Sequence, residues 1–118
     1  MLLQTILEGA GYDVVAAADG KSAIETIERE RPGIALVDIG LPLLNGYEVA
    51  RRIRRVFGPN DIFLVALTGY GQQQDREAVI SAGFDQHIVK PIDAATLIEV
   101  LHSRRRLRGL DLATVGGG

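Results

Sequence analysis

Apolar residues follow two rhythms along this chain. Short runs near 13–18, 34–38, 62–67 and 86–89 read as β-strands. The runs Ile34-Ala35-Leu36-Val37 and Ile62-Phe63-Leu64-Val65-Ala66-Leu67 are apolar throughout, which is the pattern of strands buried on both faces of a parallel sheet. Between the runs, apolar residues return at helical spacing: Leu2, Leu3, Ile6 and Leu7; Ala23, Ile24 and Ile27; Val49, Ile53 and Val56; Leu97, Val100 and Leu101. A further helix is predicted from about Gln72 to Ala82. Breakers separate the elements: Gly9-Ala10-Gly11, Pro32, Gly58-Pro59 and Gly83. The segment from Gly109 onward ends in three glycines and is expected to be unstructured, which predicts one domain over 1–107 and a flexible tail over 108–118.

Helix and strand alternate with short connections. That order predicts an α/β fold, a doubly wound parallel sheet with right-handed crossovers and helices on both faces. Three of the strands then end in polar residues, Asp38, Thr68 and Lys90. In a parallel sheet these ends share one edge, so a carboxylate, a hydroxyl and an ammonium from distant parts of the chain converge there, where open α/β folds place their chemistry. Taken singly, Asp38 would serve equally as a cap or turn residue, Thr68 as a turn hydroxyl and Lys90 as a surface amine; it is their coincidence at the ends of successive strands that points to a site.

Composition narrows the chemistry. The chain has 118 residues, 47% of them hydrophobic and 24% charged, which suits a single globular domain. It has no apolar run of membrane-spanning length and no signal-peptide pattern at its start, so a soluble, cytoplasmic protein without membrane contact is expected. Without cysteine there is no disulfide, thiolate nucleophile or thiolate metal site, and the two histidines, His87 and His102, do not suggest a metal cluster. The net charge of −2 gives no electrostatic footprint for nucleic acid. The arginines of the third helix, Arg51, Arg52, Arg54 and Arg55, read as its solvated face, and Arg104, Arg105 and Arg106 as a helix end that complements the dipole or meets an acidic partner.

Three segments together resemble the receiver domain of two-component response regulators: Leu36-Val37-Asp38-Ile39-Gly40-Leu41-Pro42 with Asn45-Gly46-Tyr47-Glu48, then Ala66-Leu67-Thr68-Gly69-Tyr70, then Val89-Lys90-Pro91. The resemblance implies a flavodoxin-like fold of strand order 2-1-3-4-5. It implies a signalling phosphoacceptor and not an enzyme acting on other substrates: Asp38 would become 4-aspartylphosphate, receiving its phosphoryl group from a histidine kinase or phosphotransfer protein. Thr68 would be the switch hydroxyl that reads the phosphoryl oxygens, Lys90 the cation paired with them, and His87 would stand at the position of a conformational aromatic. Mg²⁺ would be held by Asp38 and the carbonyl of Gly40 with a pair of acids, the Lys90-Pro91 bond would be cis, and a downstream protein partner would dock on the 72–106 face. Direct nucleic-acid binding is not expected.

The chain departs from the family at its beginning. Receivers open with a central strand ending in two acids, whereas Met1 falls where the first helix should be. The sheet is therefore expected to lack its first, central strand, Mg²⁺ binding to be weak or absent because the acidic pair is missing, and Met1 not to be the natural beginning of the folded domain. A receiver that works as a phosphorylation-independent protein-binding module stays open as an alternative. An aspartyl-phosphate phosphatase would want an acid two residues after Asp38, where Gly40 stands.

Overall fold

The computed structural model describes residues 2–17, 19–39, 45–58, 61–69, 76–108 and 111–115. In chain order the elements are α1 (Leu2–Gly9), β1 (Asp13–Ala17), α2 (Gly20–Glu30), β2 (Ile34–Asp38), α3 (Gly46–Val56), β3 (Phe63–Thr68), α4 (Arg76–Ala82), β4 (Gln86–Val89), α5 (Ala94–Arg108) and β5 (Asp111–Val115). The five strands form one sheet of order β1-β5-β2-β3-β4, parallel at every pairing. The first four lie where the apolar runs predict them.

Alternation along the two central strands sorts the core. Ala35, Val37, Leu64 and Ala66 pack with Ala23 and Ile27 of α2, Val49 and Ile53 of α3 and Val79 of α4. Ile34, Leu36, Phe63, Val65 and Leu67 face the other way, against Leu7 of α1 and Leu97 and Leu101 of α5. Side chains of successive strand residues point to opposite faces, so an apolar run supplies both layers at once. Val56, expected on the buried face of α3, is 55% exposed, because the helix stops there and Phe57 turns into the core instead. Local chemistry sets the helix starts: Asp19 accepts from the Ser22 amide at 2.8 Å and Asn45 from the Glu48 amide at 3.1 Å, each satisfying a first-turn donor.

The segment expected to be a flexible tail corrects the sequence reading. Asp111–Val115 is a strand, and it lies between β1 and β2, the place that the order 2-1-3-4-5 gives to its first strand. Asp13 to Ala17 pair with Asp111 to Val115 on one side, and Ile34 to Val37 pair with Leu112 to Val115 on the other. The sheet thus has its central strand, supplied from the other end of the sequence in a permuted order, and the folded domain runs past residue 107. An empty slot would leave rows of unpaired amides and carbonyls on both neighbours, and Leu112-Ala113-Thr114-Val115 can take up the extended conformation that satisfies them. Thr114 and Val115 are buried, at 4% and 1% exposure.

A second correction concerns α3. Arg51, Arg52 and Arg55 are exposed as expected, but Arg54 turns inward. Its guanidinium donates to the Gly83 carbonyl at 2.8 Å, the Ile62 carbonyl at 2.8 Å and Asp85 Oδ2 at 2.8 Å. Asp85 Oδ2 also accepts from the Leu64 amide at 2.9 Å. One arginine therefore ties α3, the start of β3 and the α4–β4 turn together at the amino edge of the sheet, opposite Asp38.

Candidate phosphoacceptor site

β2, β3 and β4 are adjacent and parallel, so Asp38, Thr68 and Lys90 come to one edge. Asp38 pairs in register with Leu67, and Thr68 with Val89. The backbone continues the pairing past the strand ends, the Ile39 amide donating to the Leu67 carbonyl at 2.9 Å and the Lys90 amide to the Thr68 carbonyl at 2.7 Å. These bonds fix how far each polar residue projects beyond the ladder.

The carboxylate of Asp38 is 2% exposed and forms an ion pair with Lys90 Nζ, whose side chain remains 35% exposed. Burying a carboxylate is costly unless it is paired, and Lys90 supplies the partner while its stem reaches out to water. Thr68 is fully buried at the same edge, and its hydroxyl donates to the Ile88 carbonyl at 3.4 Å. The Lys90–Pro91 peptide bond is cis. Close packing holds α3 against this edge: a Cβ added at Gly46 would stand 2.1 Å from Ile39 Cγ2, so the first turn of α3 lies directly on the residue after Asp38.

His87 is half-buried on β4 beside a cavity of about 180 Å³ that Val79, Ile80 and Phe84 also line. Gly40, expected to lend a carbonyl to a metal, lies outside the described residues, as do Tyr70, Gly71 and positions 72–75 of the predicted fourth helix. The side chains of Arg104, Arg105 and Arg106 also lie outside them.

The family model of the response regulator receiver domain matches residues 1–102. The chain belongs to this family. It is 33% identical over 100 residues to the 14.6 kDa protein of the sodA1 3' region of Leptolyngbya boryana, covering 85% of this chain and 76% of that one. It is 35% identical over 96 residues to the probable transcriptional regulator ycf27 of Porphyridium aerugineum, covering 81% of this chain but only 39% of the regulator. Among solved structures, the receiver domain of the sensor histidine kinase PA1611 from Pseudomonas aeruginosa, with magnesium coordinated in its active-site cleft, superposes with a TM-score of 0.73 at 34% identity, covering 90% of this chain and 84% of that one.

Receiver domains of response regulators are signalling domains of two-component systems, and they typically bind Mg²⁺ at the active site. Mg²⁺ takes oxygen ligands in near-octahedral geometry and usually relies on one or two carboxylates. In this receiver domain the described residues contain no group of three or more His, Asp or Glu able to hold a metal, and Lys90 already engages the Asp38 carboxylate. The strand beside β2 ends in Thr114 and Val115, which bring no carboxylate to that edge. Among the described residues no helix is long and apolar enough to cross a membrane.

Proposed function

We propose that Asp38 of this receiver domain accepts a phosphoryl group from a histidine kinase or a phosphotransfer protein, and that the domain passes the signal on through a protein surface. The observation that carries this reading is the buried carboxylate of Asp38 paired with Lys90 at the carboxyl edge of the sheet, with the Thr68 hydroxyl buried on the adjoining strand. Phosphoryl transfer passes through a loose transition state whose charge lies on the equatorial oxygens, so a site needs positioning and positive charge more than a base. Asp38 is the nucleophile, and Lys90 stays with the acyl phosphate as its cation. Thr68 is the switch hydroxyl, leaving the Ile88 carbonyl to donate to a phosphoryl oxygen, and His87 beside it responds to that movement. The domain turns over no external substrate.

Mg²⁺ is bound weakly or not at all by this chain, and the charge it supplies elsewhere falls here to Lys90. The downstream partner is a protein that docks on the 72–106 face, with no direct nucleic-acid contact, and the domain works in the cytoplasm. Incubation with a small phosphodonor, with and without Mg²⁺, tests the reading. It should add one acid-stable, hydroxylamine-labile phosphoryl group, abolished by Asp38→Asn. Labelling that survives this substitution excludes Asp38 as acceptor, and a wild-type chain that takes no label from any donor or kinase moves the reading to a binding module that works without phosphorylation. Thr68→Ala should keep the label but weaken the change in partner affinity.

A further inference from the structure

We propose that β5 is an exchangeable strand, and that this chain forms a reciprocal dimer in which the slot between β1 and β2 of each copy is filled by Asp111–Val115 of the other. The slot must be filled, because β1 and β2 each present a row of backbone groups toward it and neither has another partner on that side. What fills it is recognised by backbone pairing, with five register partners on β1 and four on β2, and by Val115, which joins the buried cluster under α2, α3 and α4. Nothing in that recognition distinguishes a strand of the same copy from the same strand of a second one.

Connectivity favours the exchange. Only Gly109 and Leu110 separate the end of α5 at Arg108 from the start of β5 at Asp111, and short hinges beside an exchangeable element are a recurrent route to swapped dimers. β5 also pairs with strands from the opposite end of the sequence, Asp13 with Asp111 and Ile34 with Leu112. Contacts so distant in the chain form late, because loop closure must precede them. While the other four strands wait with the slot open, a second copy competes with the chain's own segment. Effective concentrations for tethered segments lie in the millimolar range, so refolding at about 1 mM makes the two routes comparable. The exchange is isologous and closes at two copies.

The test uses the full chain, unfolded and refolded at about 10 μM and about 1 mM, with mass measured by light scattering after gel filtration and folding checked by cooperative thermal unfolding. Dilute refolding should give the monomer and concentrated refolding a dimer that persists after dilution. Two variants separate strand exchange from association through another surface. Inserting about six Gly/Ser residues after Arg108, which lengthens the connection to β5, should lower the dimer fraction at least about tenfold, and deleting Gly109 and Leu110 should make the dimer predominate even on dilute refolding, with cooperative unfolding kept. A chain that stays monomeric after concentrated refolding, a dimer fraction indifferent to hinge length, or a hinge-deleted chain that is a folded monomer or does not fold would each overturn the proposal.

Discussion

Lys90 Nζ holds the carboxylate of Asp38 across β3, joining the ends of two strands that are not themselves neighbours in the sheet. The two partners are unequally placed, the Asp38 side chain 2% exposed and that of Lys90 35%. Removing the lysine takes the ammonium away from a buried carboxylate, whereas removing the acid leaves an ammonium that already reaches water. Lys90→Met should therefore destabilise the domain by about 1–3 kcal/mol in urea unfolding, with Asp38→Asn costing less than half as much. Equal losses would show that the pair is not desolvated as the geometry indicates.

A large single-residue effect on stability away from the site is expected at Arg54. Its guanidinium donates to three carbonyls, those of Gly83, Gly58 and Ile62, and to Asp85, and its side chain is only 15% exposed. Arg54→Ala should cost about 2–4 kcal/mol, because it strands those acceptors together. Arg54→Lys should recover only part of this, since one ammonium cannot reproduce the planar fork. Arg51→Ala, whose bond to Glu48 is exposed, should change stability by less than about 0.5 kcal/mol. Gly83 is part of the same contact: it sits at φ 108°, and a Cβ there would meet Arg54 Cγ at 2.6 Å, so Gly83→Ala should also lower the unfolding midpoint.

Gly46→Ala provides a test of the packing beside Asp38. Alanine is better than glycine inside a helix by about 1 kcal/mol, which predicts stabilisation if propensity decides. The new Cβ would instead lie 2.1 Å from Ile39 Cγ2 and 3.2 Å from Ile39 Cα. The clash should win, giving a net loss in chemical denaturation, and Ile39→Ala in the same chain should recover part of it by removing Cγ2.

Acid should weaken the helix caps in a defined window. The Ser22 amide and hydroxyl hold the Asp19 carboxyl below its ordinary value of 3.8, and the Thr96 hydroxyl does the same for Asp93. A carboxyl whose folded value is depressed contributes stability that is fully present above the unfolded value and is lost as pH falls through the folded one. Asparagine caps a helix without titrating. The melting temperature of the Asp19→Asn, Asp93→Asn double variant should therefore run parallel to wild type above pH 3.8 and fall less steeply below it.

The sequence by itself determined four strands, their polar ends and the family. Ile34 to Val37 and Phe63 to Leu67 can be buried on both faces only in a parallel sheet with helical layers, and that architecture carries Asp38, Thr68 and Lys90 to one edge whatever the details of packing. Two things were decided only in three dimensions. Arg54 shares a helix with three exposed arginines, and no pattern in the chain marks it; it turns inward because Gly83, Ile62 and Asp85, distant in sequence, converge on its position. β5 is five residues among glycines, and taken alone Asp111–Val115 has too little apolar surface to commit to any structure. The β-branched Thr114 and Val115 were the available signal, but their meaning came from the slot. A strand forms where two rows of unpaired backbone groups already lie one strand-width apart on either side, and that vacancy exists only once β1 and β2 are in place.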